Sequence, residues 1–261
     1  ERLRLWQQNL NKSLDSQLDF LHSLKPSVYD IALIQEPHID FRGVSAFVSV
    51  YPPTHAENQC ATCSLILVNS NIPSSSWTVI PIPYPDITAI ELVGNFGTVR
   101  LINVYNDCNH NGAIDALRTY MRSPEATRCS KPPLHYAWPG DYNRHHPSWD
   151  EERNFHLFTR HNLDLTQPLL DLLARYSMKM PLPKDIPTLQ SFATGNFTRV
   201  NNVFCSPTLL PAYVSCDTEP KLRPVKTDHF PIIHVLDLAI NRETHQPKPL
   251  YRLTDWGEFR E

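Results

Sequence analysis

Residues 140–150 read Gly-Asp-Tyr-Asn-Arg-His-His-Pro-Ser-Trp-Asp, and this stretch decides how the rest of the chain is interpreted. The preceding residues 135–139 (HYAWP) alternate in a way that suits the end of a buried strand. A strand that ends in Gly-Asp-x-Asn places a carboxylate and an amide two residues apart on the same side of an extended backbone. The missing Cβ of Gly140 leaves room for a ligand or metal ion near the backbone. This combination is typical of a phosphoester-cleaving site, and the alternative is a polar turn, because Asp and Asn are common turn residues.

The composition sets limits on the class of protein. The chain has 261 residues, of which 41% are hydrophobic, and this permits one large domain or two small ones. The formal net charge is −3, so any nucleic acid would have to be held by local patches and bound cations. No stretch approaches the roughly 20 apolar residues of a membrane span, and no signal segment opens the chain. We therefore expect an intracellular protein that is neither secreted nor bound to a membrane.

The six cysteines are spread along the chain without a dense framework. Cys60 and Cys63 form a C-x-x-C pair, but no second pair lies at zinc-ribbon spacing and no His follows at zinc-finger spacing. A zinc site is thus the weaker interpretation, and we expect free thiols in a reducing compartment.

Periodicity predicts an α/β domain over residues 1–240. A strand at residues 2–8 precedes a helix at residues 13–24, which places Leu14, Leu18, Phe20 and Leu21 on one face, and a buried strand follows at residues 31–34. Residues 46–93 contain four apolar runs separated by Pro, Asn and Ser clusters, as in an antiparallel meander. Further strands are predicted at residues 98–105, 135–138, 200–205 and 232–238, and further helices at 113–121, 150–161 and 166–174. Residues 241–261 are polar and lose periodicity, which indicates a linker-like tail.

Polar side chains flank several of these strands. They are Asn9, Glu36, Tyr105, Asp141 with Asn143, and the pair Asp228 and His229. Each has a structural interpretation on its own: an Asn after a strand is usually a turn former, a Glu before Pro is usually solvated, and a Tyr that ends a strand usually packs at a sheet edge. Their joint occurrence at strand edges is harder to explain by chance and favours a shared site.

Five short motifs carry a resemblance to a known family. In order they are QNLN, LIQEP, NVYN, GDYNRHHPSW and TDHFPI. Over residues 1 to about 238, this order resembles the endonuclease/exonuclease/phosphatase (DNase-I-like) superfamily. The Gly-Asp-x-Asn followed by His-His-Pro-x-Trp is similar to the endonuclease domain of non-LTR retrotransposons. The Trp-x-x-Phe of the tail is similar to the linker that leads toward reverse transcriptase in such elements.

The resemblance implies a fold and an activity. The fold would be a four-layer α/β (α+β) sandwich of two mixed β-sheets flanked by helices. The activity would be that of a metal-dependent phosphodiesterase, an endonuclease that nicks target DNA for retroelement insertion. Its partners would be DNA and a reverse transcriptase module of the same element, and it would be nuclear at least when it acts on genomic DNA.

The resemblance also implies residue roles. Glu36 would bind Mg²⁺, with Mn²⁺ as the alternative metal, because hard oxygen ligands suit Mg²⁺, which keeps several of its waters. Asn9 would help to hold the metal or a phosphate oxygen. Asp141 would align or deprotonate the attacking water, and Asn143 would contact the phosphate.

The remaining implied roles concern the developing charge. His229 would donate to a phosphoryl oxygen or act as an acid/base, with Asp228 fixing its tautomer, since a carboxylate–His pair suits that role. Tyr105 would contribute a phenolic donor to the same oxygens. His145 would support the site or face DNA, and the structural role is the favoured interpretation.

Two positions depart from the family pattern. Family members usually carry an Asp in a motif like Ile-Asp-x-x-Phe, whereas here the stretch TRVNNVF places Asn201 at that position. An Asn keeps hydrogen-bond geometry but loses an anion, which would weaken the metal site or shift the acid/base balance. Thr227 stands where Ser is common, and this change retains the hydroxyl.

DNA contact is expected from cationic side chains in loops, because the chain as a whole is acidic. The candidates are Arg144, Arg199 and Lys226, with Lys221 and Arg223 nearby, and they would mostly contact phosphates. The alternative for each is an ordinary solvated charge. Two alternative functions also stay open: a weakened or dead retroelement remnant that binds nucleic acid, motivated by Asn201, and a phosphomonoesterase on the same scaffold.

Overall fold

A computed structural model of the protein describes residues 2–38 and 45–243. The strands in this part of the chain are β1 (Leu3–Asn9), β2 (Ile31–Gln35), β3 (Phe47–Val50), β4 (Ser64–Asn69), β5 (Trp77–Ile80), β6 (Ile87–Gly94), β7 (Gly97–Tyr105), β8 (Leu134–Asp141), β9 (Leu189–Gln190), β10 (Phe197–Thr198), β11 (Asn201–Cys205), β12 (Tyr213–Thr218) and β13 (Ile232–Leu236). The α-helices are α1 (Leu14–Ser23), α2 (Gly112–Arg122), α3 (Pro124–Thr127) and α4 (Arg160–Arg175). Short 3₁₀ helices cover Pro53–Ala56, Gln59–Ala61, Ser74–Ser76, Glu152–Leu157, Leu210–Ala212 and Pro220–Leu222.

Two mixed sheets face each other. The first has the strand order β12-β13-β1-β2-β4-β3, and the second has the order β11-β8-β7-β6-β5. Each sheet contains one parallel pair, β1 with β2 in the first and β7 with β8 in the second, among antiparallel neighbours. The carboxyl ends of a parallel pair lie at the same edge of a sheet. The residues that follow β1 and β2 therefore lie at one edge of the first sheet, and those that follow β7 and β8 lie at one edge of the second sheet.

The hydrophobic residues separate into layers. Leu3 and Leu5 of β1 belong to the cluster between the sheets, whereas Trp6 belongs to a cluster that also contains Phe20 of α1. A further cluster lies between the second sheet and the helices α2 and α4. Both faces of the central strands are therefore buried, and the expected four-layer sandwich is confirmed. Each fully buried Leu or Ile side chain contributes about 1.5–3 kcal/mol to this packing.

Helix α1 buries only part of the predicted face, because Phe20 and Leu21 pack in the core and the other two residues do not. Leu14 and Leu18 are 46% and 57% exposed, whereas Phe20 and Ser16 are buried. The hydroxyl of Ser16 donates to the Val225 carbonyl at 2.6 Å, so a contact with a distant loop places a polar residue on the buried side. The leucine spacing therefore selected the buried face only in part.

The predicted meander over residues 46–93 is divided between the two sheets. Strands β3 and β4 pair in the first sheet, whereas β5 and β6 pair in the second. The chain crosses from one sheet to the other between Asn69 and Trp77, where Ile72 is buried in the cluster between the sheets. The segment predicted as a helix at residues 150–161 is largely the 3₁₀ helix Glu152–Leu157, and β12 and the β9–β10 hairpin were not predicted.

The predicted tail at residues 241–261 lies mostly outside the described residues, which end at 243. Its first residues pack on the domain: Arg242 Nε donates to Asp30 Oδ1 at 2.9 Å, and the Glu243 N–H donates to the Asn71 carbonyl at 2.8 Å. The boundary near residue 240 stays a prediction. In the part of the chain that the structure describes, no helix is long and apolar enough to cross a membrane.

Candidate active site

One side-chain amide joins the two sheets at their shared edge. Asn9 Nδ2, at the end of β1, donates to Glu36 Oε2 at 3.1 Å and to Asp141 Oδ2 at 2.8 Å. The orientation of this amide is set by Asn11, whose backbone N–H donates to Asn9 Oδ1 at 2.7 Å. The structure thus brings together three residues that the sequence predicted from separate strand ends.

Backbone strain accompanies two of the residues predicted to bind the metal ion or the phosphate. Glu36 and Asn143 have φ values of 47° and 48°, in the left-handed region that non-glycine residues seldom occupy. The Glu36 N–H donates to the Cys63 carbonyl at 2.9 Å, and the Asn143 N–H donates to Asp141 Oδ1 at 3.0 Å. Such conformations persist where surrounding contacts hold them, and they are frequent at active sites.

Asp141 is 1% exposed, and burial raises the pKa of its carboxyl, with the charge of Glu36 adding to the effect. His229 and the hydrogen bonds from Asn9 and Asn143 act in the opposite direction. A buried carboxylate with a raised pKa is a better proton acceptor near neutral pH than a solvated one. The environment of Asp141 therefore suits a general base.

Tyr105, at the end of β7, completes this edge. Its hydroxyl is hydrogen-bonded to Glu36, and burial together with the charges of Glu36 and Asp141 raises its pKa well above 10. The phenol therefore stays protonated over the whole physiological range. Tyr105 can act as a hydrogen-bond donor in this position, as the resemblance implied.

His229 is oriented by Asn201 and not by Asp228. His229 Nδ1 lies 2.9 Å from Asn201 Oδ1, whereas its Nε2 lies 3.6 Å from Asp228 Oδ1, beyond hydrogen-bond range. Because an amide oxygen can only accept, Nδ1 carries the proton and the neutral ring has its lone pair on Nε2. The predicted role of Asp228 in fixing the tautomer is therefore wrong. Asn201 reaches this position because its Cα is paired with Asp141 between β11 and β8.

Thr227 connects the His229 segment to β1. Its hydroxyl donates to the Asn9 carbonyl at 2.9 Å and accepts from the His229 N–H at 3.3 Å. Together with Asp141 Oδ2, which lies 3.8 Å from His229 Nδ1, these contacts hold the imidazole beside the carboxylates. The supporting position predicted for Thr227 is thus where the structure places it.

Two other predicted residues make contacts within the protein. Asn143 Nδ2 donates to the Asn106 carbonyl at 2.9 Å, so its contact with phosphate stays a prediction. His145 Nδ1 lies 3.1 Å from Asp150 Oδ2, and Asp150 also accepts from the Arg199 N–H at 2.8 Å. His145 therefore belongs to a network that packs the loop after β8.

Two of the five arginine and lysine residues predicted to contact DNA are buried. Arg144 is 2% exposed and donates to several backbone carbonyls, including that of His110 at 2.7 Å. Arg199 is 1% exposed and donates to Asn202 Oδ1 at 2.9 Å, and burial lowers its pKa to about 10. Both guanidinium groups are used inside the protein, so the predicted DNA contacts of Arg144 and Arg199 are wrong. Lys226 is 71% exposed and lies 2.5 Å from Asp15, and its DNA contact stays a prediction.

A cation–aromatic stack beside His229 was missed by the sequence interpretation. Arg153 Cζ lies 5.7 Å from the ring centre of Phe197, and the rings of Phe197 and Phe230 are stacked at 6.1 Å. Arg223 Cζ continues the row, 5.1 Å from Phe230 and 5.9 Å from Phe192, which is 63% exposed. The β9–β10 hairpin supplies both Phe192 and Phe197. A glycine between two short aromatic-containing runs, ATGNF, is the signal that could have predicted this hairpin.

The carboxylates at this edge fit a hard divalent cation. The side chain of Glu36 is 16% exposed and shares the Asn9 amide with Asp141, and Mg²⁺ requires only one or two protein carboxylates. Asn9 presents its donor to these oxygens, so it positions Glu36 and would not itself bind the metal in this orientation. Within residues 2–38 and 45–243, no group of three or more His, Cys, Asp or Glu side chains could hold a metal ion. Cys60 is exposed and Cys63 is buried, and both thiols are free.

Comparison with known proteins identifies the fold. No protein-family model and no curated protein sequence matches the chain. Among solved structures, the endonuclease domain of TRAS1, a telomere-specific non-LTR retrotransposon, has a TM-score of 0.68 at 17% identity and covers 90% of this chain and 99% of its own. The AP endonuclease LMAP from Leishmania major has a TM-score of 0.68 at 12% identity, covering 90% and 87%. The 3'-5' exonuclease NExo from Neisseria meningitidis has a TM-score of 0.66 at 18% identity, covering 90% and 100%.

These structures share the arrangement of two facing mixed sheets with outer helices over nearly the whole described domain. The chain therefore has a DNase-I-like fold.

Proposed function

We propose that this protein is a Mg²⁺-dependent DNA endonuclease that nicks target DNA for a retroelement. The observation that carries the proposal is the Asn9 amide, which holds the carboxylates of Glu36 and Asp141 together at the edge where the two sheets meet. His229 lies 3.8 Å from Asp141, so a base and a phosphate-facing imidazole share this small volume. The similarity of the fold to the TRAS1 endonuclease domain supports a retroelement origin. The substrate would be genomic DNA in the nucleus, and a reverse transcriptase module of the same element would be the functional partner.

Each side chain has a distinct part in this mechanism. Mg²⁺ (or Mn²⁺) bound by Glu36 would neutralise charge that develops on the phosphoryl oxygens. Asp141 takes a proton from the attacking water, because its buried carboxyl has a raised pKa. Tyr105 would donate to a phosphoryl oxygen in place of Glu36, and His229, whose Nδ1 proton is engaged by Asn201, would donate from Nε2 only as the imidazolium.

Cations that are exposed or partly exposed around this edge provide the proposed DNA contacts. Lys226 lies one residue before Thr227, and Arg223 and Arg153 belong to the cation–aromatic stack beside His229. These charges lie in local patches on a chain of net charge −3, so binding should depend strongly on salt. Such contacts position the duplex without reading its sequence.

Two observations support other functions. Asn201 replaces an anion next to His229 by a neutral amide, which favours a weakened or inactive remnant that still binds nucleic acid. A structure of similar fold, at 18% identity with a TM-score of 0.65, is described as a 3' phosphatase from Neisseria bound to a product DNA hairpin, which favours a phosphomonoesterase.

A plasmid nicking assay tests these functions. Wild type should convert supercoiled plasmid to open circles only with Mg²⁺ or Mn²⁺, and Glu36→Gln, Asp141→Asn and His229→Ala should each lower the rate at least about 100-fold. The exposed Glu57→Gln is the matched control and should nick at the wild-type rate.

The alternatives give different results in the same assay. Retained DNA binding without any nicking by wild type would favour the remnant. Rapid phosphate release from a 3'-phosphorylated oligonucleotide, with plasmid left intact, would favour the phosphomonoesterase.

A further inference from the structure

Polar side chains cross the apolar space between the sheets directly below the candidate site. Gln7 Nε2 of β1 donates to the Gly140 carbonyl of β8 at 3.0 Å, and Gln35 Nε2 of β2 donates to Asn103 Oδ1 of β7. Asn103 Nδ2 also donates to the Ile34 carbonyl at 2.8 Å, which fixes the orientation of that amide. Gln7, Gln35 and Asn103 are fully buried. We refer to Gln7, Gln35, Asn103 and Gly140 as the inter-sheet polar tier.

This tier repeats the connections of the site above it. In the site, β1 contacts β8 through Asn9 and Asp141, and β2 leads into Glu36, which contacts Tyr105 at the end of β7. In the polar tier, the same two strand pairs are joined one or two residues earlier along each strand. The candidate site and the inter-sheet polar tier therefore involve the same four strands, β1, β2, β7 and β8. A change in the distance between the sheets at the polar tier would also change that distance at the site.

The close approach of the strands at this level depends on Gly140. A Cβ at this position would lie 2.4 Å from the Val104 carbonyl oxygen of β7. The glycine therefore lets β8 lie close to β7 while its own carbonyl accepts from Gln7. The close packing of Gly140 in β8 against Val104 in β7 therefore fixes the position of the carbonyl that accepts from Gln7.

The polar tier is not an optimal way to fill a sandwich core. Gln7 Oε1 and Gln35 Oε1 are buried and have no hydrogen-bond partner among the described residues. An unmet buried acceptor destabilises a fold, whereas an apolar side chain of the same shape would not. Because these residues do not optimise the stability of the fold, we expect them to contribute to the function of the site that they support.

We propose that Gln7 is a positioning residue, which acts with Gln35 and Asn103 to set the sheet separation at which Asp141 meets Glu36. This inference rests on the proposed nuclease function, because it names residues that support the same site. Gln7 contacts neither substrate nor metal and acts only through the β8 backbone next to Asp141.

The test compares Gln7→Met with His234→Met. Both changes remove a buried polar group with an unmet hydrogen bond from the first sheet, but His234 lies on β13, which pairs with β1 and contributes no residue to the inter-sheet polar tier. Gln7→Met should lower kcat for plasmid nicking about 10- to 100-fold, because small displacements in a site have effects of this size. Its KM for plasmid should be unchanged and its Tm close to that of wild type, because removal of the unmet Gln7 Oε1 offsets the lost hydrogen bond to the Gly140 carbonyl. His234→Met should keep the wild-type kcat.

A second readout does not depend on turnover. Calorimetry with MgCl₂ should show about tenfold weaker binding by Gln7→Met than by wild type, as expected when a residue behind a metal ligand is lost. Equal Mg²⁺ affinity together with kcat within twofold of wild type would overturn the positioning role of Gln7. An equal fall of kcat in both variants would also overturn it, since the effect would then follow from repacking. Absence of nicking by wild type would instead contradict the nuclease function, and the Mg²⁺ affinities would still decide the role of Gln7.

Discussion

His234→Met should make the protein more stable at acidic pH, and the structure indicates by how much. His234 lies in the middle of β13 and is fully buried, and neither ring nitrogen has a hydrogen-bond partner in the described part of the chain. Burial lowers the pKa of this imidazole from 6.5 to about 3. The folded protein therefore keeps His234 neutral under conditions in which an unfolded chain would protonate it.

The sign and size of the effect follow from proton linkage. Below pH 6.5 the unfolded state binds a proton that the folded state does not take up until about pH 3, so stability falls as the pH is lowered through this window. At about 1.36 kcal/mol for each pH unit, the full window corresponds to about 5 kcal/mol, and the part between pH 6.5 and pH 4 to about 3 kcal/mol. The substitution removes this loss, and it also removes two unmet buried nitrogens.

Urea unfolding at pH 7, 6, 5 and 4 provides the measurement. We expect the free energies of unfolding of wild type and His234→Met to diverge as the pH falls, with a difference at pH 4 about 3 kcal/mol larger than at pH 7. Parallel pH profiles would refute the argument, because they would mean that His234 is hydrated or protonated in the folded protein.

Further predictions concern Asn201, Arg144 and Lys226. Asn201→Asp should raise the nicking rate about tenfold, since a carboxylate beside His229 Nδ1 stabilises the imidazolium; an unchanged rate in the plasmid assay would contradict this. Arg144→Ala should lower the free energy of unfolding by about 3–5 kcal/mol in urea titrations, because several buried carbonyls lose their donor. Lys226→Ala should leave Tm unchanged, weaken DNA binding and reduce the salt slope by about 1; an unchanged slope would show that Lys226 makes no phosphate contact.

Several features of the protein were predictable because they are encoded locally. Alternating and continuous apolar runs marked β1, β2, β7 and β8, and the polar residues that end them are those that the structure brings to one edge. Parallel strands bring their carboxyl ends to one edge of a sheet, which accounts for Asn9 and Glu36, and the family resemblance assigned Asp141 of the other sheet to the same site. The order of the motifs was enough to predict the two-sheet sandwich.

Features that depend on distant contacts were not predictable from local patterns. The leucine spacing of α1 gave the helix but only part of its buried face, because a loop more than 200 residues away binds Ser16. The run of strands after residue 46 did not show that the chain changes sheets after Asn69, since alternation has the same period in either sheet.

The same distinction applies to the site chemistry. Asp228 and His229 are neighbours in sequence, yet successive residues of an extended chain point to opposite sides, and the strand pairing of β11 with β8 supplies Asn201 instead. Arg144 and Arg199 carry charges that suggest DNA contact, but only the folded chain shows that backbone carbonyls already occupy them. The sequence thus determined which chemical groups reach the edge of the sheets. The tertiary structure decided which of them touch, because hydrogen-bond partners and burial are set by segments far apart in the chain.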